Sequence, residues 1–321
     1  MKKTKYELII GKKPSRRSVR YYFNYGASKD ICFQLTKGGA VLFYSAGKDY
    51  SDDFMNSHAY YLMREGVKRM VLVSLLLFSK SLQIKNLKVR VNGKNIPEID
   101  ENCFRMYSLV DGKLMRPMSQ NWNNPAVINN VLKEYKSKYS SGMASVYALL
   151  LSKAQSKETQ RFIYLWMSMN GFYNTKYNVN DRESLIRIVR EYGFGTDALK
   201  KTNRDECCKI ILRLFKDIDE PMTKEELMTG QYRELGKAIS AKVEEAMALP
   251  EGSVNPYGFL ITDFAYYLRC KMIHGNAPVQ LFCYLDDLEY KAMAATNNLL
   301  EAFLDEHVTD LYDENNDLEL K

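Results

Sequence analysis

From Asp53 to Ser81 the sequence reads as one long helix, amphipathic at first and then apolar all round. A helix without a polar face has to be covered on every side. Its greasiest stretch, Met70–Phe78, is interrupted by Ser74 and falls well short of the ~18 apolar residues of a membrane span. The cover must therefore be protein. Three runs just upstream, Arg20–Tyr25, Ile31–Leu35 and Ala40–Tyr44, are rich in Tyr, Phe, Val and Ile and are expected to be strands. Gly38-Gly39 supplies a hairpin turn between the second and third. Leu87–Val91 and Cys103–Val110 read as further strands, with turns at Asn92-Gly93 and Asp111-Gly112. Residues 1–112 are thus expected to form a small α+β domain with the greasy helix laid on a sheet.

Residues 113–125, with two prolines and several Asn and Gln side chains, read as a linker. Trp122 is the residue that would dock it onto a neighbour. From Ala126 to about residue 310 the hydrophobic period is helical throughout. Helices are expected at Val127–Tyr139, Met143–Ser152, Lys157–Tyr173, Asp181–Tyr192, Asp205–Phe215, Thr223–Met228, Tyr232–Met247, Pro256–Ile273 and Tyr284–His307. Thr223 and Glu226 form a capping box, and Asp181 is an acid suited to capping its own helix. No period of 20–50 residues recurs, so the second part is a bundle rather than a solenoid. The fold class expected is α+β: an α+β domain, then an all-α bundle.

At 321 residues, with 46% hydrophobic and 26% charged residues, the chain has the make-up of a soluble globular protein. The N-terminus lacks the apolar core of a secretory signal, and a cytoplasmic location without membrane contact is expected. The six cysteines show no CxxC or CxxH spacing, so buried thiols are expected rather than a zinc site. The net charge of +7 is unevenly spread. Residues 1–20 carry net +7, and residues 305–321 carry net −6. The basic arm either touches phosphates or simply solubilises the chain. The acidic end, 311–321, is expected to be a disordered tail.

No dinucleotide, P-loop, zincin or nucleophile-elbow motif is present. The chemistry-bearing pair is Arg269 and His274, at the end of a helix closed by Gly275. An arginine and a histidine suffice for one metal-free reaction, cleavage of RNA by its own 2′-hydroxyl. The imidazole titrates near neutrality and serves as base or acid, while the guanidinium offers a permanent fork to phosphate oxygens. One imidazole cannot readily make both proton transfers, so two pairs meeting across a symmetric dimer would complete the site. Five positions rotate an ideal helix by about 140°, so the two side chains converge only if the helix ends near His274 or across a dimer seam. By spacing alone, a structural arginine and a capping histidine explain the pair as well. Of the remaining histidines, His58 is expected to be structural and His307 solvated.

The stretch Tyr266-Tyr-Leu-Arg-Cys-Lys-Met-Ile-His-Gly-Asn276 resembles the R-x4-6-H motif of the HEPN superfamily. The aromatic helix Arg161–Asn174 resembles the one that precedes the motif helix in such domains, with Asn170 at the position of an assisting polar residue. The resemblance covers about 143–178 and 256–307 and makes 181–255 an insertion. It implies an all-α HEPN-like bundle, usually dimeric, and a metal-independent endoribonuclease of the toxin or phage-defence kind. In that reading Arg269 binds the scissile phosphate, His274 is the acid/base and Asn170 positions one of them or the RNA. RNA would be the substrate, a second copy and an antitoxin or defence protein the partners, and no cofactor is implied. The alternative is a non-catalytic bundle of the same kind that binds a nucleotide, RNA or a protein.

Overall fold

The computed structural model describes residues 3–25, 28–47, 51–97, 99, 101–104, 110, 112–135, 140–192, 208–213, 230–248, 258–273 and 287–313. The fold is α+β, an antiparallel sheet followed mainly by helices. It divides into two units, one running to Met143 and rejoined by Tyr312, the other spanning Ala144–Leu311.

The first unit is built on β1 (Thr4–Gly11), β2 (Arg20–Tyr25), β3 (Ser28–Thr36), β4 (Gly39–Ala46), β5 (Lys88–Val91) and β6 (Lys94–Asn95). They lie in the order β2-β3-β4-β1-β5-β6, all antiparallel. β1 was expected to be part of a basic arm; it is instead an inner strand, with Tyr6, Leu8 and Ile10 buried. Register aligns these with Leu42, Ala40, Val89 and Val91, and β2 and β3 add Tyr21, Phe23, Ile31, Phe33 and Leu35 to the same face. That apolar face takes α1 (His58–Phe78). Gly66 of α1 lies so close to β4 that a methyl there would meet Leu42 Cδ1.

α1 begins at Ser57, whose hydroxyl accepts from the Tyr60 amide, and stops at Ser79 in the left-handed region. Its C-terminal end is met by the segment read as a linker. Leu114 N donates to Ser79 O at 2.9 Å and Met118 N to Ser79 Oγ at 2.9 Å. Leu114, Met118 and Trp122 are buried, so residues 113–125 are a clamp on the end of α1 and part of the first unit. Gln120, Asn121, Asn123 and Asn124 stay exposed around those three buried side chains, which is why the composition reads as a linker. The strand expected over Cys103–Val110 begins as a 3-10 turn, Glu101–Phe104; residues 105–109 are outside the described set. α2 (Pro125–Glu134) starts with Asn124 as cap and Pro125 at its first position. Its Asn129 accepts from the Tyr22 amide at 2.9 Å and so covers the edge strand.

The β3–β4 turn meets the end of β1 backbone to backbone. A Cβ on Gly39 would sit 2.3 Å from Ile10 O and 2.5 Å from Lys12 O. Neither carbonyl can move without breaking the ladder. Gly39→Ala is expected to lower unfolding stability by roughly 2–3 kcal/mol, read as a shifted urea midpoint.

The second unit contains α3 (Ser141–Ala154, whose first turn falls in the first unit), α4 (Glu158–Lys176), α5 (Asp181–Tyr192), α6 (Gly230–Ala248), α7 (Tyr266–Ile273) and α8 (Asp287–His307), with a further helical turn at 208–213. Phe162, Leu165, Trp166, Met169, Phe172 and Tyr173 of α4 are fully buried. α3 and α4 approach closely where Ser145 and Ser168 each donate to the other's carbonyl at 2.8 Å. Across α3, α4 and α8 runs a buried ionic chain. Lys153, with no exposed surface, reaches Asp305 at 2.7 Å and Glu301 at 3.2 Å. Glu301 also takes Arg161 at 3.0 Å, which holds Glu158 at 3.1 Å. The acidic C-terminal region is therefore structured at least to Asp313, and Asp305 belongs to the core network. Among the described residues no helix is long and apolar enough to cross a membrane. The helix expected at Thr223–Met228 lies outside the described residues.

Candidate functional site

α7 does not start as an α-helix. Leu260–Ala265 forms a π turn, and the α-helical hydrogen bonding begins at Tyr266. Leu260, Phe264 and Leu268, four residues apart, are buried. Ile261, Asp263, Ala265, Tyr267 and Cys270 are buried as well, because neighbours cover the segment on more than one side. Asp263 in the π turn is held by Thr262 Oγ1 at 2.7 Å and by Lys242 of α6 at 2.8 Å.

Arg269 projects from α7 with 16% of its side chain exposed. Its Nη2 donates to Asp181 Oδ2 at 3.0 Å. Asp181 opens α5 but is not that helix's cap, as its type and place had suggested. Asn180 takes this role, accepting from the Glu183 amide at 2.9 Å, and Asp181 is left to face the arginine. Tyr266 places its ring 5.7 Å from the guanidinium carbon and tilts against Trp166.

On the α4 side, the Tyr173 hydroxyl hydrogen-bonds Asn170 Oδ1. Burial pushes the Tyr173 phenol far up from its usual value, and the hydrogen bond and negative charge of Asp181 add to the shift against the opposing pull of Arg269. Burial likewise raises Tyr266, with the Cys270 thiol adding to it. Both phenols therefore stay protonated at neutral pH and act as donors, never as bases.

The structure thus brings two of the three expected residues into one network. Asn170 is bonded to Tyr173 and Arg269 to Asp181, and the charges of Asp181 and Arg269 both act on the Tyr173 phenol, so α4, α5 and α7 meet here. His274 lies outside the described residues. Tyr173 and Asp181 were not foreseen as site residues. Asp181 is 88 positions from Arg269, and nothing local in the sequence marks it as that residue's partner. Chemically, the corner presents a fixed cation, one carboxylate and the half-buried Tyr266 phenol, while Tyr173 is fully buried with its hydroxyl given to Asn170. A phosphate oxygen can take the guanidinium fork only by displacing or sharing with Asp181.

The other histidines are placed elsewhere. His58 Nε2 lies 3.3 Å from Ser28 Oγ, with its ring against Tyr25. His307 was expected in solvent. It is instead wedged between Tyr192 and Phe303, with Nδ1 3.1 Å from Asp310 and 21% of its side chain exposed. The aromatic ends of α5 and α8 close over it, a tertiary effect that the acidic local sequence hides. Among the described residues no group of three or more His, Cys, Asp or Glu is placed to hold a metal ion. Compared with family models, with curated proteins and with solved structures, the chain finds no match.

Proposed function

We propose that this chain is a metal-independent endoribonuclease of the HEPN kind, with Arg269 and His274 as its catalytic pair and Asn170 as a positioning residue. The reading rests on the R-x4-H spacing at the end of α7 and on one observation, that Tyr173, bonded to Asn170, lies near enough to the Arg269–Asp181 pair for both of its charges to act on the phenol. In this mechanism Arg269 neutralises the phosphorane that forms as the 2′-hydroxyl attacks. His274 moves the proton, and a second copy supplies the second imidazole at a homodimer seam. Asp181 keeps the guanidinium aimed. The resemblance also points to a toxin or phage-defence setting in the cytoplasm, with an antitoxin or defence protein as partner.

The test is cleavage of RNA in EDTA by wild type and by His274→Ala. Wild type is expected to leave 2′,3′-cyclic phosphate ends, and the variant to be slower by about 10²-fold or more. Equal cleavage by both, or none by either, overturns the reading.

The Arg269–Asp181 ion pair favours one competitor, a non-catalytic bundle in which Arg269 anchors the phosphate of a nucleotide or RNA, or an acidic group of a protein. Binding without turnover, lost in Arg269→Ala and unchanged in His274→Ala, would select it.

A further inference from the structure

The first unit carries far more positive charge than its size requires. Residues 1–143 and 312–321 contain 26 basic and 15 acidic side chains, a net of +11, whereas the whole chain has +7. The remainder is therefore net −4. Small soluble domains are usually kept in solution by net charges of about 2–8. A domain well beyond that range repels itself, and such a charge is explained by a polyanionic partner.

The fold gathers part of this charge on one place. The sheet face opposite α1 carries Ile9 and Val41, both buried, and Gln34. The β1–β2 connection, residues 12–19, crosses that face as a strap. Gln34 Nε2 donates to Ser18 O at 2.7 Å and to Ser15 O at 3.4 Å, and the Ser18 amide closes a turn onto Ser15 O. Pro14 is buried beneath it, while Lys12, Arg16 and Arg17 are exposed on its outer side. Backbone bonds draw two more segments to the same end of the sheet: Lys12 N donates to Gly38 O, and Gly11 N to Lys85 O. Exposed Lys37, Lys85 and Lys88 arrive with them, and exposed Arg20 follows the strap. The sequence has no acidic residue at 8–29, 31–48 or 66–97, so these segments bring no carboxylate of their own. Glu7, on the same face, is already held by Lys13 and by Arg90 at 3.4 Å. At the margin Tyr22, beside Arg20, is 45% exposed, and its backbone is fixed by Asn129.

We infer that this strapped face is a binding surface for single-stranded RNA, gripping phosphates through Lys12, Arg16, Arg17, Arg20, Lys37 and Lys85. The cations are spread over an ordered strap and two turns, which suits a backbone followed along its length rather than a single bound anion. The exposed ring of Tyr22 beside them suits an unpaired base, which has a face to stack, over a duplex. The surface lies in the first unit and does not depend on the Arg269 corner being catalytic.

The experiment uses the full chain and a fluorescent 2′-O-methyl single-stranded RNA of roughly 16 nucleotides. This RNA has no 2′-hydroxyl nucleophile, so binding is read whether or not the protein cleaves RNA. Affinity is measured between about 50 and 200 mM salt. The triple variant Lys12→Ser/Arg16→Ser/Arg17→Ser is compared with Lys209→Ser/Lys237→Ser/Lys291→Ser, which removes the same charge from exposed sites on other helices. The strap variant is expected to bind about tenfold or more weakly, with the salt slope reduced by about 2. The control is expected to stay within about twofold of wild type. An unchanged strap variant, or equal losses in both, overturns the inference. So does a result in which phosphatidylserine vesicles are bound through the strap and the RNA is not. Strap-dependent binding with no cleavage of ordinary RNA leaves this surface standing and removes only the nuclease reading.

Discussion

Glu301→Leu is expected to destabilise the second unit by about 1–3 kcal/mol, the range for leaving buried donors short of an acceptor. Glu301 serves two cations at once, Lys153 at 3.2 Å and Arg161 at 3.0 Å. Lys153 has no exposed surface, so water cannot replace the lost oxygen. After the substitution Lys153 retains Asp305 and Arg161 retains Glu158, which leaves four charged members in two separate pairs, with the carboxylate that joined them gone. Leucine fills most of the volume, so the loss reads the missing carboxylate bridge rather than a cavity. Glu301→Gln, which keeps a carbonyl acceptor but not the charge, is expected to lose less. Urea unfolding of the full chain, followed by tryptophan fluorescence with Trp166 in this unit and Trp122 in the other, measures both. A loss under about 1 kcal/mol for Glu301→Leu would mean that the ionic chain does not hold α3, α4 and α8 together.

Arg269→Ala is expected to separate stability from activity. The Arg269–Asp181 pair is partly open, with 16% and 32% of the two side chains exposed, so its removal should cost the fold no more than about 1 kcal/mol. In the proposed nuclease the same change removes the charge that meets the phosphorane, and cleavage should fall by about 10²–10³-fold. Arg269→Lys should recover little, because a point charge cannot reproduce the two-pronged contact. Thermal melting beside an RNA cleavage assay in EDTA distinguishes the outcomes. A protein that keeps both its melting point and its cleavage rate would remove Arg269 from the chemistry.

Much of the framework was legible from sequence, and the exceptions have physical causes. β2, β4, α1 and α5 follow from period and composition, since local pattern and tertiary environment agree there. β1 was hidden by its flanks. Lys2, Lys3, Lys5, Lys12 and Lys13 surround Leu8, Ile9 and Ile10, and the eye reads an arm where the sheet has an inner strand. Residues 113–125 looked like a linker because turn-forming residues suit a clamp just as well. At the candidate site, Arg269 stands out in the sequence but its partner does not. That partner is Asp181, whose local sequence advertises a helix cap while Asn180 does that work. His307 shows the same limit, because Tyr192 and Phe303 reach it only in three dimensions.

The π turn at Leu260–Ala265 has a consequence for how Arg269 is aimed. Such a turn amounts to one surplus residue threaded into a helix. Everything after it is rotated by about 100° and advanced by about 1.5 Å relative to an uninterrupted α-helix. Arg269 meets Asp181 in this wound-back setting. Deleting a single residue from the turn would swing the guanidinium a quarter-turn off α5 while leaving the helix itself intact, so the compass bearing of the cation is written several positions upstream of the cation.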